Sequence, residues 1–127
     1  MTLHRTSQLS QVDPRLVSLL TDVGSVRDVL VVQGARSVAD ELRAMATHHS
    51  ELKNPLNSKH VIDPSRPLAL AVDIAPWPLD WNDTGAFCTL GAFVKSRALE
   101  LHIPITWGGD WTSFHDYSHY ELKGDTI

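Results

Sequence analysis

The chain of 127 residues contains a single cysteine, and that scarcity removes two architectures at once. Neither a disulfide scaffold nor a zinc site built on several cysteines can be assembled from one thiol. Positive charge is also short: 11 Lys and Arg stand against 15 Asp and Glu, a formal net charge of −4. That balance argues against a nucleic-acid binder held by a basic patch. Long apolar runs are missing too. No stretch approaches the roughly 20 residues of a membrane helix, and the opening MTLHRTSQLSQVDPR lacks a signal-peptide run. The expectation is a monomer made in the cytoplasm without an export signal, with no membrane or nucleic-acid partner. No repeat, low-complexity tract or linker divides the chain, and its length suits one buried core. What is present is a globular composition, 43% hydrophobic and 20% charged, with seven histidines.

Local signals divide the chain into short elements. Asp13-Pro14 reads as an N-cap followed by proline at the first helical position, and Leu16, Val17, Leu19, Leu20 and Val23 then give a helix stopped by Gly24. Asp28 to Gln33 is a β-branched run of strand length ended by Gly34. Ser37 caps a helix from Val38 to about His48, with Ala39, Leu42, Ala46 and Met45 expected inward. Residues 50–67 are rich in turn signals, among them Asn54-Pro55 and Asp63-Pro64. Leu68 to Ala75 reads as a strand buried on both faces. Thr84 to His102 reads as the longest helix, with Phe87, Leu90, Phe93, Val94, Ala98 and Leu101 on its apolar side and Cys88 a buried packing thiol. ITW after Pro104 and SHYEL at 118–122 read as the last strands. Mixed helices and strands, with the final strands close in sequence, indicate a small α+β domain and not a doubly wound parallel sheet.

Four residues stand out chemically. Asp73 lies inside ALAVDIAP, where an unpaired carboxylate is costly; a cation, a metal, an arginine such as Arg36 or a turn would each answer it. Alternation along 118–122 puts His119 and Glu121 on one face and Tyr120 and Leu122 on the other, so His119 points away from the core layer. Asp116, three residues earlier, is placed to serve as a base toward an activated water, or to be a solvated loop carboxylate. His60 follows a run of turn residues, where a surface loop histidine is the plain alternative. His4, His48, His49, His102 and His115 need no metal; those at helix ends suit the helix dipole. Two His and one Asp form a sensible set for a catalytic zinc with one open position, although neither HExxH nor a CxxC pair occurs. The residues alone reach as far as a mononuclear zinc hydrolase.

The order of four blocks resembles the zinc peptidases of the D-alanyl-D-alanine carboxypeptidase/dipeptidase family, closest to phage endolysins acting as L-alanyl-D-glutamate peptidases. The blocks are Val32-Gln33-Gly34-Ala35-Arg36-Ser37, Ser58-Lys59-His60, Ala71-Val72-Asp73-Ile74-Ala75-Pro76, and Trp107-Gly108-Gly109-Asp110-Trp111-Thr112-Ser113-Phe114 with Asp116 and His119-Tyr120-Glu121-Leu122. Together they span about residues 10–122.

The resemblance implies a small central antiparallel sheet with flanking helices and one zinc ion in an open groove. It implies His60, Asp73 and His119 as zinc ligands and Asp116 as catalytic base. Arg36 would bind substrate or stabilise the oxyanion, and Ser58 would contact substrate. Trp111 and Tyr117 are candidates for the groove wall, with core packing as the alternative for the tryptophans. The implied activity is hydrolysis of the L-Ala–D-Glu bond of the peptidoglycan stem peptide by a bare catalytic domain, residues 1–127, without a wall-binding module. D-Ala-D-Ala hydrolysis on the same scaffold, or a non-catalytic zinc-containing wall-binding domain, would be the alternatives. The sequence departs from the family's H-x-x-G-x-A-x-D: the step from His60 to Asp73 is thirteen residues, an insertion of about six in a loop where extra length costs little. Ser118 replaces the usual proline before the last histidine, and the helix after Arg36 has no glutamine.

Overall fold

The computed structural model describes residues 1–46 and 58–124. Its strands are β1 (Leu3–His4), β2 (Val29–Gln33), β3 (Arg36–Ser37), β4 (Val61–Ile62), β5 (Ala71–Pro76), β6 (Ile105–Trp107) and β7 (His119–Leu122). The helices are α1 (Pro14–Gly24), α2 (Val38–Ala46) and α3 (Thr84–Glu100). Five strands form one sheet in the order β1-β2-β5-β7-β6, antiparallel throughout except for the parallel edge strand β1. β3 and β4 make a separate short parallel ribbon. This is the expected α+β architecture, with one parallel edge added.

Helix α1 starts where its sequence says it should. The Asp13 carboxylate accepts from the Arg15 backbone N–H at 2.9 Å and from its guanidinium at 3.0 Å, with Pro14 at the first helical position. Its face of Leu16, Leu19, Leu20 and Val23 is fully buried. Burial on this scale contributes roughly 1.5–3 kcal/mol per large aliphatic side chain. α1 lies against α3, and Arg97 clamps the pair from the rim by donating to Asp22 at 2.6 and 3.0 Å.

Alternation along the central strands decides what each face holds. Val72, Ile74, Tyr120 and Leu122 join the core cluster with Leu90, Val94 and Ala98 of α3. Asp73, His119 and Glu121 therefore point to the opposite face. The register sets Asp73 opposite His119 on one side and opposite Gln33 on the other, just beyond a bulge in β2.

Three details of the sequence reading are corrected. In α2 the buried residue is Glu41, while Leu42 is 51% exposed and Ala39 and Ala46 are exposed as well. The helix is rotated because Arg36 captures the Glu41 carboxylate at 2.6 Å, and an ion pair sits where the apolar stripe was expected. Ser37 does cap this helix, accepting from Asp40 N–H at 3.0 Å. Cys88 is exposed, because the buried face of α3 runs through Phe87, Leu90, Gly91, Val94 and Ala98 and leaves position 88 outside it. β5 begins at Ala71, later than expected: Leu68 is exposed, and Asp63 and Arg66 close a turn before the strand. The expected helix end at His48 and the Asn54-Pro55 turn lie outside the described residues.

Candidate metal centre

Three elements bring His60, Asp73 and His119 together. His60 Nε2 lies 3.3 Å from Asp73 Oδ1, His119 Nδ1 lies 3.3 Å from the same oxygen, and the two nitrogens are 3.2 Å apart. A tetrahedron of zinc–ligand bonds of about 2.0 Å has edges of about 3.3 Å. The three donors thus form one face of such a tetrahedron and leave the fourth corner for water or substrate. His60 is 4% exposed and His119 8%, so the set is held in a largely desolvated recess.

Each imidazole is fixed by the nitrogen it turns away. His60 Nδ1 lies 3.0 Å from the Gly34 carbonyl, which can only accept, so Nδ1 carries the proton and Nε2 faces the cluster. Gly34 is itself pressed against the N-terminal segment: a Cβ there would lie 1.7 Å from the Gln8 carbonyl oxygen, so only glycine fits at this point of the chain. His119 uses the opposite tautomer. Its Nε2 lies 2.8 Å from Glu121 Oε1, leaving Nδ1 toward the cluster. Glu121 is paired in turn with Lys59 Nζ at 3.0 Å, and Lys59 also donates to the Leu122 carbonyl at 2.6 Å.

The electrostatics follow from this arrangement. Burial would raise Asp73, yet the two histidines hold its carboxyl far below the usual carboxylate range. Burial would lower His119, but hydrogen bonds to Asp73 and Glu121 outweigh it and raise the imidazole to about 9. Glu121 is pushed up by burial and held down further by its bonds with His119 and Lys59, so it stays below its usual value. The recess is an anionic pair of carboxylates around two imidazoles, which suits a divalent cation.

Asp116 is fastened by its backbone. Its N–H donates to the Gly108 carbonyl at 3.1 Å, and its own carbonyl accepts from His119 N–H at 3.2 Å. A Cβ at Gly108 would lie 2.3 Å from the Asp116 carbonyl oxygen, so only glycine allows this approach. Burial, and then the charge of Asp73, raise the Asp116 carboxyl above its ordinary value, while Ser118 Oγ–H donates to it at 3.3 Å. Such a carboxyl takes up a proton more readily than a solvated one.

The remaining sequence candidates occupy distinct places. Arg36 donates its backbone N–H to the His60 carbonyl at 2.7 Å, and its guanidinium is bound to Glu41. Ser58 is buried and its Oγ accepts from His60 N–H at 3.3 Å, which ties it to the ligand loop. The Trp111 ring lies 5.2 Å from that of His119, and Tyr117 is half-buried beside His115. The segment between His60 and Asp73 also reaches the site. Arg66, 8% exposed, donates to the carbonyls of Val61 at 3.0 Å and Ser58 at 2.6 Å, on either side of His60. Glu121, Lys59 and Arg66 were not singled out by the sequence. Alternation had already set Glu121 on the face of His119, but nothing local gave it a role.

Comparisons with known proteins fit this geometry. A family model described as phage L-alanyl-D-glutamate peptidase matches residues 1–127. The L-alanyl-D-glutamate peptidase of Escherichia phage T5 is 36% identical over 102 residues, covering 78% of this chain and 69% of the relative. Among solved structures, the Serratia marcescens L-Ala D-Glu endopeptidase ChiX superposes with a TM-score of 0.80 at 24% identity, covering 97% of this chain and 89% of its own. The vancomycin resistance D,D-pentapeptidase VanY, a mutant in complex with Zn(II), superposes with a TM-score of 0.61 at 17% identity, covering 89% and 73%.

Proposed function

The chain belongs to the phage L-alanyl-D-glutamate peptidase family, and from that premise we propose that it hydrolyses the L-Ala–D-Glu bond of the peptidoglycan stem peptide with one bound zinc ion. The observation that carries the reading is the triangle of His60 Nε2, Asp73 Oδ1 and His119 Nδ1, with its 3.2–3.3 Å edges. Zinc held there supplies Lewis acidity, which makes water nucleophilic near neutral pH and polarises the scissile carbonyl.

The protein's own groups handle the proton. Asp116, with its raised affinity for protons, accepts one from the attacking water and delivers it to the leaving amine of D-Glu. Glu121, braced by Lys59, keeps His119 in the tautomer that turns Nδ1 inward. Arg36, its Nη1 anchored by Glu41, is the proposed cation for substrate or oxyanion, and Ser58, Trp111 and Tyr117 are the proposed substrate contacts. The chain works as a single catalytic domain and as a monomer on the cell wall. No helix among the described residues is long and apolar enough to cross a membrane.

The test is digestion of purified cell walls with metal analysis of the protein. The expected result is one zinc per chain and new amino-terminal D-Glu by mass spectrometry. Release of terminal D-Ala would identify the D,D-peptidase reaction instead, and neither zinc nor new amino termini would reject the enzyme. Asp116→Asn is expected to retain zinc and lose about 10²–10⁴-fold in kcat.

A further inference from the structure

Next to the metal recess lies a cleft of about 320 Å³ whose walls include Trp81, Thr84, Phe87, Phe114, Asp116 and Tyr117. It borders the site through Asp116 and Ser118, which line it just ahead of the ligand His119 in the chain. Its mouth carries large rings that folding leaves in water: Trp81 is 56% exposed and Phe114 52%. Exposed rings grouped around a concavity are the ordinary signature of a binding surface. Two of the lining rings, Trp81 and Tyr117, are also held in place by stacking. Trp81 stacks on Phe87 at 5.6 Å and 14°, and Tyr117 stacks on His115 at 5.5 Å and 10°.

Charge decides which part of the substrate fits. The cleft has no Lys or Arg among its lining residues; it contains Asp116, and its one basic side chain, His115, is engaged by the Gly109 carbonyl at 3.1 Å and stacked on Tyr117. On the carboxyl side of an L-Ala–D-Glu bond the substrate carries the carboxylate of D-Glu, which here would meet Asp116 with no Lys or Arg to answer it. On the amino side the alanine is acylated by a lactyl ether of an N-acetylated pyranose, and that portion is neutral. Pyranose rings present flat faces of polarised C–H groups, which pack against the negative faces of aromatic rings.

We propose that the cleft between Trp81 and Phe114 binds the saccharide from which the stem peptide hangs, making this a peptidase that reads sugar and peptide together. The inference rests on the reaction proposed above and adds its recognition element.

The experiment compares two substrates: a muramyl peptide containing the L-Ala–D-Glu bond, and the same peptide with a lactyl cap but no sugar. Wild type is expected to favour the muramyl peptide in kcat/KM. In Trp81→Ala and Phe114→Ala that preference collapses by about tenfold or more, expressed in KM, and Trp81→Phe restores most of it. Zinc content and thermal midpoint, measured on the same samples, identify any variant that has lost its fold. An equal loss on both substrates, or no loss on either, overturns the sugar site while leaving the reaction standing. Wild type that cleaves neither substrate overturns the reaction itself, and the sugar site with it.

Discussion

Glu121 accepts from His119 Nε2 at 2.8 Å, two residues along the same strand face, while His119 Nδ1 points to Asp73. A strand places i and i+2 on one side, so a single β-strand supplies both a ligand and the carboxylate that orients it. Removing that carboxylate leaves the imidazole free to rotate and to change tautomer. Glu121→Ala is expected to weaken zinc binding by about 10–100-fold in chelator competition, with Glu121→Gln recovering part of the loss because its amide oxygen still accepts.

Arg66 holds the His60 loop from below through the Ser58 and Val61 carbonyls. Arg66→Met keeps the buried alkyl chain but leaves these carbonyls without two of their donors. Denaturant unfolding is expected to show a loss of about 1–3 kcal/mol, together with weaker zinc retention. Unchanged stability would mean that water replaces the guanidinium at no cost.

Gly108→Ala is a test of position alone. The added methyl would lie 2.3 Å from the Asp116 carbonyl oxygen, so Asp116 must move and its bond from His119 N–H must give, while the imidazoles stay held by Gly34 and Glu121 and the strand pairing keeps Asp73 opposite His119. Metal analysis is expected to show full zinc occupancy, and kcat to fall by about 10²-fold, since displacements near 1 Å suffice for losses of that size.

Metal removal should expose the titration of His119. Its folded value of about 9 lies above the unfolded value of 6.5, so the folded metal-free protein binds the extra proton. The resulting stability is fully present below about pH 6.5 and is lost as pH rises through about 9. Chelator-treated protein is therefore expected to lose thermal midpoint across that window. Zinc-loaded protein should not follow this slope, because loading displaces the proton from Nδ1, and calorimetry near pH 7.5 should detect the release.

Asp13 provides a control far from the metal. Its carboxyl is held below the ordinary value chiefly by its hydrogen bond with Arg15, so its contribution exists above the unfolded value of 3.8 and fades as pH falls through the lower folded one. Asp13→Ala is expected to cost about 1 kcal/mol at neutral pH through loss of the N-cap. The difference between wild type and variant should narrow in acid.

Much of this was legible in the residues. The helix start at Asp13-Pro14, the cap at Ser37 and the alternation at His119-Tyr120-Glu121-Leu122 are local rules, and local rules survive folding. Asp73 was marked by its cost inside an apolar strand, and that cost is met by two histidines and not by Arg36. The helix α2 and its cap were read correctly, but its inward face was not, because propensity and periodicity take no account of an ion pair. Arg36 reaches across five positions to bury Glu41, and Ala39, Leu42 and Ala46 turn outward while Met45 is half-buried.

By itself the sequence determined which donors exist, which strand faces carry them and which element ends are capped, because those properties depend on neighbours along the chain. Only the tertiary structure decided that residues 60, 73 and 119 meet with 3.2–3.3 Å edges. It alone assigned Gly34 to one imidazole and Glu121 to the other, and turned Arg66 into a brace for the ligand loop. These relationships rest on strand register and on close backbone approach between segments far apart in sequence, which no local pattern encodes.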